Sequence, residues 1–506
     1  VTPRCGGHML FSRILKRTAH ALLRAWQRPA PSTRVVMAFC IRGLALVNFA
    51  AFSSLRPQVK GLFGVRGVAP VRARLEDSRV FWGRVPDRAL WLRQYPTLFW
   101  ANADDRALER WCRVGQGASL ALALGIAPRS MVALLWAVQL SFISTGSPFL
   151  NFQWDLLLLE ADMHAFALLL RRRGARPPAA AVWLMRLLAF RLNFESGLAK
   201  LQSKDRTWRD RTAMSYHYET QPIPNRLAWY AHQLPLPVQK FSTATSLAIE
   251  ILAPFLMFGG RRGRRLAFGL LGALQGAILT TGNFAFFNLL TLVIQLSLLD
   301  DEALPSALRR PFPPAAPRAL GILRNLPVIP ALAMAGSELL VRARPHARVP
   351  NPLRRMAGHA MALRTLNTYG LFANMTTRRP EVVVEGSLDG NTWRPYTFRF
   401  KPGDPARAPR QVAPHQPRLD WQMWFAALGP APQWFVDFVV RLLEGSPDVL
   451  GLLETNPFLD HPPRIIRARL YDYHFTDAST RRATGAWWTR RYLGEYLPPV
   501  QLGAPR

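Results

Sequence analysis

Long apolar runs constrain this 506-residue chain more than any other feature. Eight of them approach the roughly 20 residues that a helix needs to cross a bilayer core of about 30 Å: residues 35–54, 129–147, 151–170, 178–197, 240–258, 265–282, 284–299 and 319–341. A further crossing at 110–127 is needed if the basic segments are to share one side of the membrane. We therefore expect an α-helical polytopic membrane protein with about eight to nine transmembrane helices.

The positive charge of the chain is concentrated beside these runs. There are 65 lysines and arginines against 31 acidic residues, a net charge of +34. Clusters such as RRRGAR (171–176) and GRRGRR (260–265) are typical of cytoplasmic loops that face anionic lipid. This placement indicates the lipid bilayer as a partner and disfavours nucleic acid. The chain has three cysteines, none of them closely spaced, which disfavours a thiol-disulfide oxidoreductase.

These signals divide the chain into three parts. Residues 1–34 form a basic cytoplasmic N-terminus, and residues 35–341 form a transmembrane helical domain with an external loop at 199–238. Residues 342–506 then lie on the lumenal or extracytoplasmic side. Their β-branched and aromatic residues around a Ser-Leu-Asp-Gly-Asn turn predict a hairpin at 381–400, and a second alternating stretch predicts a strand at 464–477. We expect a C-terminal β-rich extramembrane domain that also carries two short tryptophan-rich amphipathic helices.

The run at 151–170 is unusual because it carries ionisable side chains at bilayer depth. Counting about 1.5 Å per residue from RRRGAR places Asp162 and Arg186 at about 12 Å, Glu160 at about 15 Å and Arg191 at about 20 Å. Unpaired charges at such depth cost about 2.5–3.5 kcal/mol or more, so they usually pair or line a wet cavity. The sequence predicts a buried ionic network of Asp155, Glu160, Asp162, Arg186, Arg191 and Glu195. This network could be purely structural, could line a polar cavity open to the lumen, or could form an ion pathway.

The external loop is too polar to span lipid and is interrupted by prolines, so it should fold back onto the membrane surface with its aromatic residues at headgroup level. Its His217, Glu219 and His232 are residue types that bind zinc, but their spacing matches no zinc motif, so we expect neither a metal nor another cofactor. Lys200 could act as a desolvated base or, more simply, extend to the interface and anchor the end of a helix.

Several long motifs in the chain resemble the lipase maturation factor family. They are FQWDLLLLEA (152–161), SGLAKLQSKDRTWRD (196–210), YHYETQP (216–222), LAWYAHQLP (227–235), PHQPRLDWQMWFAALG (414–429) and NPFLDHPPRIIRARLYDYHFT (456–476). The resemblance covers roughly residues 35–500. It implies a polytopic endoplasmic reticulum membrane protein, with a lumenal C-terminal region, that helps secreted dimeric lipases to fold and assemble. Within the loop it singles out Lys200, Trp208, His217, Glu219, Gln221, Trp229 and His232.

Two functions are compatible with these observations. A membrane-bound maturation factor for secreted clients, lipases by resemblance, needs adaptable apolar surface, and Trp421, Trp424 and Phe425 are the candidates for binding a client. These residues could equally be domain core or a contact with the membrane.

The alternative is an integral membrane enzyme that modifies a lipid or a secreted polypeptide, because the membrane core is also distantly similar to the vitamin K-dependent carboxylase group. Its acid and base groups would come from Glu160, Glu195, Lys200, His217 or Glu219, but no motif specifies a reaction, so a non-enzymatic, chaperone-like factor is favoured. The composition, rich in alanine, arginine and proline, looks prokaryotic. A bacterial source would place the protein in the inner membrane instead of the reticulum.

Overall fold

A computed structural model describes residues 32–82, 94–170, 175–309 and 325–503. Most of the basic N-terminus and residues 171–174 of RRRGAR lie outside this range, so their expected cytoplasmic placement concerns undescribed parts of the chain. The helices before residue 344 are α1 Arg34–Leu55, α2 Val59–Phe63, α3 Val71–Trp82, α4 Asp105–Ala123, α5 Pro128–Thr145, α6 Gln153–Leu168, α7 Ala179–Gln202, α8 Arg206–Arg209, α9 Ala213–Thr220, α10 Arg226–His232, α11 Leu236–Leu252, α12 Gly260–Thr281, α13 Phe287–Gln295, α14 Ser306–Arg309 and α15 Ile329–Ala343.

All nine expected crossings contain a helix, but not all of these helices are long and apolar enough to span a bilayer. Among the described residues three spans meet both conditions: Arg34–Leu55, Leu236–Phe258 and Leu326–Ala343. The 16 residues of α6 extend only about 24 Å, and the nine of α13 about 14 Å. The count of eight to nine transmembrane helices is therefore not confirmed, because charged residues and early helix ends interrupt the apolar runs.

The GRRGRR cluster marks one end of the bundle and the external loop marks the other. At one end the Asp301 carboxylate accepts hydrogen bonds from the first backbone N–H groups of α1, at 2.9–3.1 Å, where the helix dipole favours an anion. At the same end Arg261 and Arg265 pair with Asp300 at 2.9 and 3.2 Å. The other end of α12, about 33 Å away, meets the external loop through Gln221. The GRRGRR cluster and the external loop thus lie at opposite ends of one helix.

Burial separates a central helix from peripheral ones. Helix α6 is apolar or buried on nearly every side, which is typical of a helix surrounded by protein. In contrast, α11, α12 and α15 expose large apolar side chains, including Phe241, Leu252, Leu266 and Leu340. In a membrane protein this exposed apolar surface faces lipid.

The C-terminal part, which we call the tail (residues 344–503), combines one small sheet with several helices. Its elements are α16 Asn351–Ala362, β1 Pro380–Ser387, β2 Arg394–Pro395, α17 Arg418–Ala427, α18 Gln433–Leu443, α19 Pro447–Leu450, β3 Ile465–Phe475, α20 Ala478–Thr484 and β4 Trp488–Val500. The sheet is antiparallel with the order β2-β1-β3-β4.

The expected hairpin forms between β1 and β2, and the Asp389 side chain accepts the backbone N–H groups of Asn391 and Thr392 in its turn. The expectation of a β-rich tail was too simple. Apolar residues with helical period place α17 and α18 beside the sheet, and α16 and α20 add further helix.

Candidate functional site

Two buried acidic residues flank one arginine at the centre of the bundle. Arg191 on α7 contacts Glu160 on α6 at 2.7 Å and Glu195, one turn further along α7, at 3.0 Å. All three side chains are fully buried. The structure therefore brings together three members of the expected network, in an arrangement where opposite charges and hydrogen bonds offset the desolvation of each group.

A segment of the tail, residues 364–372, completes this network. The Tyr369 hydroxyl donates to Glu160 at 2.8 Å, and the Tyr369 backbone N–H donates to Glu195 at 2.9 Å. Asn367 donates to Glu160 through its backbone N–H at 2.8 Å and its side-chain amide at 3.0 Å, and its carbonyl accepts from Arg191. We call residues 364–372 the tail segment. It fills the hydrogen-bonding capacity that the two membrane helices leave open.

Asp155, near the start of α6, also pairs with a residue of the tail. Arg418, the first residue of α17, binds both oxygens of Asp155 through two guanidinium nitrogens, at 2.9 and 3.1 Å. The same guanidinium donates to the carbonyl of Phe149, and both charged groups are buried. We use the term ionic contact for two sets of buried contacts together. In the first, Glu160 and Glu195 contact Arg191 and the tail segment. In the second, Asp155 contacts Arg418.

Two expected members of the network lie elsewhere, which corrects the sequence interpretation. Asp162 accepts from the Asn48 amide of α1 at 3.0 and 3.2 Å rather than pairing with Arg186. Arg186 donates to the carbonyl of Ser297 at 2.8 Å and lies over the ring of Trp183. Similar depth did not bring Asp162 and Arg186 together because they point to different neighbours of the α6–α7 pair.

The external loop is a second surface on which the tail docks. The buried Arg379, just before β1, donates to the carbonyls of Glu219, Gln221 and Pro222. Glu219 in turn accepts from the Phe475 backbone N–H at 2.7 Å and lies 3.1 Å from His474. The motif YHYETQP therefore provides backbone carbonyls and one carboxylate to the tail, and the Gln221 amide ties it to α12.

Aromatic residues extend this second surface. Arg481 of α20 lies over the rings of Trp487 and Trp229, at 3.6 and 4.6 Å from the ring centroids. Trp208, buried at the start of the loop, donates from its indole to the carbonyl of Phe372 at 3.1 Å. These tryptophans pack against protein. We call the packing of loop residues 208–233 on the tail the loop contact.

The loop histidines occupy different environments. His217 packs against the rings of Phe284 and Phe372, and burial lowers its pKa to about 4. His232 lies 3.6 Å from Glu219, and burial lowers its pKa as well. His217, Glu219 and His232 therefore do not converge on one point. Nowhere within the described residues do three His, Cys, Asp or Glu side chains form a group that could hold a metal ion.

Lys200 does not extend to the interface. Its ammonium binds both oxygens of Glu250 on α11, at 2.6 and 2.8 Å, and is nearly buried over the ring of Trp208. A cavity of about 50 Å³ beside this pair is lined partly by Asn193, Ser196 and Lys200. It has room for water.

The candidates for client binding fall on both sides of α17. Trp421 is buried against Trp154 of α6, with ring centroids 4.9 Å apart. Trp424 is buried and donates its indole N–H to the carbonyl of Thr220 at 2.9 Å. Trp421 therefore belongs to the contact between the tail and the membrane helices, and Trp424 to the contact between the tail and the external loop, whereas Phe425 is 44% exposed.

Four residues that hold the site together were not identified from the sequence: Asn367, Tyr369, Arg379 and Arg418. Arg418 lies inside the quoted motif PHQPRLDWQMWFAALG, and its place in that motif was its only signal. Asn367, Tyr369 and Arg379 lie outside the quoted motifs and carried none.

The fold and this site define a membrane protein whose C-terminal tail is anchored on its own helices by buried charges. A family model described as the lipase maturation factor transmembrane domain matches residues 35–306, and one described as the lipase maturation factor C-terminal domain matches residues 365–498. The chain belongs to the lipase maturation factor family. No solved structure matches it.

The similarity to curated relatives covers most of this chain and most of the length of each relative. Lipase maturation factor 2 of Gallus gallus is 35% identical over 92% of this chain and 81% of its own length. The Homo sapiens lipase maturation factor 2 is 33% identical over 92% and 82%. Lipase maturation factor 1 of Bos taurus is 34% identical over 92% and 89%. The similarity therefore spans the membrane helices and the tail together.

Proposed function

We propose that this protein is a membrane-bound maturation factor for secreted lipases. The observation that carries the proposal is that both parts of the lipase maturation factor family match, in order, across a tail and a membrane bundle that interlock. The ionic contact and the loop contact fix the orientation of the tail relative to the helices. A client bound to the tail is then held at a defined distance from the membrane.

The tail offers apolar surface that a client can reach. Phe425 and Leu428 are each 44% exposed at the end of α17, and Tyr492 and Leu493 are similarly exposed on the edge strand β4. Exposed aromatic and apolar side chains near polar ones are typical of protein-binding surfaces. We assign client binding to Phe425 and its neighbours, and a structural role to Trp421 and Trp424.

The enzyme alternative has less support. Its proposed acid and base groups are engaged in other contacts: Glu160 and Glu195 with Arg191, Lys200 with Glu250, and Glu219 with Phe475 and His474. His217 is half-buried and packs against two aromatic rings. A buried structural role accounts for each of these residues, so the ionic network serves packing in our proposal.

The function is tested by lipase secretion from cells that lack their own maturation factor. Expression of this protein together with a secreted lipase should raise the lipase activity per mass of secreted lipase. The Phe425→Ser variant should lose most of that increase at an unchanged level of membrane protein. Leu459→Ser, at a position that is 87% exposed elsewhere on the tail, is the matched control. An unchanged specific activity with the wild-type protein would refute the proposal.

We also propose that the tail lies on the lumenal side of the endoplasmic reticulum, or on the extracytoplasmic side of a bacterial inner membrane. The support is that GRRGRR and the external loop lie at opposite ends of α12, and basic clusters favour the cytoplasm. Asn374-Met375-Thr376 is a glycosylation acceptor, and Asn374 is exposed. In a eukaryotic host the wild type should gain one glycan that Thr376→Ala lacks. The opposite orientation would be indicated if Asn374 carried no glycan while an acceptor engineered into the loop 171–176 became glycosylated.

A further inference from the structure

A second cavity, of about 260 Å³, lies between α6, α7, α15 and the tail segment, away from the client surface. Its walls are largely apolar and include Phe166, Leu184, Met334 and Leu366. Phe166 and Met334 are half-buried, so the cavity reaches the molecular surface. That surface adjoins α15, whose outer face exposes Ile329 and Leu340. The cavity is therefore next to the acyl chains of the bilayer.

One side chain in this cavity has an unused hydrogen-bonding atom. His164 lines the cavity and is 5% exposed, and neither of its ring nitrogens hydrogen bonds to a described residue. The other hydrogen-bonding side chain in the wall, Thr365, already donates to the carbonyl of Ala360 at 3.1 Å. A buried polar atom without a partner is unfavourable, so a ligand that satisfies it gains affinity.

The chemistry of the wall selects the class of ligand. No lysine or arginine is among the described residues that line the cavity, so a carboxylate or phosphate would be buried there without a counter-charge. A hydroxyl can donate to or accept from the imidazole in either tautomer and brings no charge. The cavity is slightly smaller than the roughly 300–1,000 Å³ typical of ligand pockets, which favours one chain over two.

The position of His164 along α6 is compatible with a ligand that has a hydroxyl headgroup and one acyl chain. It lies four residues before the end of α6, about 6 Å along the helix axis. A polar group at that depth is near the boundary between headgroups and acyl chains. We propose that this cavity binds a single-chain neutral lipid, such as a monoacylglycerol, with one of its hydroxyls on His164 and its chain between α6 and α15.

Photolabelling of the full chain in phosphatidylcholine vesicles tests the proposal. The probe is a monoacylglycerol with a photoactivatable diazirine in its chain. Label should appear on peptides of α6 and α15. The Ala331→Phe variant, which fills the cavity, should reduce it about five-fold or more. Ala333→Phe is the matched control, because Ala333 is exposed on the same helix and does not line the cavity. Equal labelling of the two variants would show only contact with annular lipid and would overturn the proposal.

Competition on the wild-type protein gives a result that does not depend on the folding of a variant. Unlabelled monoacylglycerol should displace the probe at about ten-fold lower concentration than a hydrocarbon of the same chain length, because only the hydroxyl bonds to His164. A fatty acid should compete less well than the monoacylglycerol at neutral pH. Equal competition by the monoacylglycerol and the hydrocarbon would overturn the assignment of His164 as the partner of the hydroxyl.

Discussion

The ionic contact and the loop contact join the same tail to the same helices by different means. In the ionic contact the side chains of Glu160 and Arg191 are fully buried, and each hydrogen bond involves a charge. In the loop contact His474 is 51% exposed, and much of the adhesion comes from tryptophan rings and backbone carbonyls. The difference indicates that the ionic contact fixes one position of the tail on the helices, whereas the loop contact enlarges the interface and tolerates small shifts.

This contrast has an energetic basis. A buried charge that loses its partner is strongly destabilising, so displacement of the tail segment by even one residue is unfavourable. Exposed pairs and cation–π contacts contribute about 1 kcal/mol or less and tolerate small shifts. The effects of substitutions should therefore rank by contact, with the ionic contact first.

Arg191→Met should produce the largest loss, because it leaves both Glu160 and Glu195 buried without a counter-charge. The expected destabilisation is about 3–5 kcal/mol, with lowered yield and melting temperature in detergent. The triple variant Glu160→Gln, Arg191→Met, Glu195→Gln should recover part of the loss, since it removes all three charges. An Arg191→Met protein that melts at the wild-type temperature would break the comparison.

Arg418→Met should have the next largest effect, about 2–3 kcal/mol. The loss is smaller than for Arg191 because one carboxylate is left unpaired, and Asp155 still accepts from the backbone N–H of Phe152. The measurement is the melting temperature together with the rate of proteolysis of the tail. Arg394→Met, at an exposed position on β2, is the control. A greater loss for Arg418→Met than for Arg191→Met would reverse the ranking within the ionic contact.

Acidification should weaken the loop contact through His217. Its pKa is about 4 in the folded protein against about 6.5 for a free histidine, so folding favours the neutral ring. The stabilisation is complete above pH 6.5 and is lost as the pH falls towards 4, by up to about 1.4 kcal/mol per pH unit. The melting temperature should therefore fall over this range, and less steeply in His217→Phe, which keeps the ring packing. An identical pH profile for His217→Phe would remove His217 from the explanation. His461→Phe, at an exposed position, serves as the control.

Arg481→Ala should have the smallest effect, about 1 kcal/mol, because it removes only the cation–π contacts of a half-buried side chain with Trp487 and Trp229. Hydrogen exchange should accelerate locally in α20 and α10, with the global melting temperature nearly unchanged. The neighbouring Arg482, which is exposed and bonded only within α20, provides a control substitution to alanine. A loss as large as that of Arg418→Met would contradict the distinction between the two contacts.

Much of the helical architecture could be predicted from the sequence because apolar periodicity is a local property. The positions of α1, α7 and α12 follow from it, as do β1, β3 and the hairpin turn. The proximity of Glu160 and Arg191 also followed, since two consecutive antiparallel helices place residues of similar depth side by side. Hydropathy did not fix the number of crossings, because α6 ends after 16 residues and α13 after nine, although the apolar runs around them are longer.

The partners supplied by the tail could not be predicted in this way. Tyr369 meets Glu160 across 209 residues of sequence, and Arg418 meets Asp155 across 263. Counting depth compares only neighbouring helices, so it assigned Arg186 to Asp162, whereas Asn48 of α1 takes that place. The tryptophans of α17 illustrate the same limit: their apolar character was evident, but whether they face a client or the helices depends on how the tail docks.

The separation of Asp155 from Arg418 has a consequence for the order in which the chain is made. At about 5–20 residues per second, a ribosome needs on the order of ten to fifty seconds to advance from Asp155 to Arg418. During that interval α6 and α7 are already synthesised, but Tyr369 and Arg418 are not. A nascent or truncated chain thus presents Asp155 without its arginine to the insertion and quality-control machinery, and Arg418 must be translated before this carboxylate is paired.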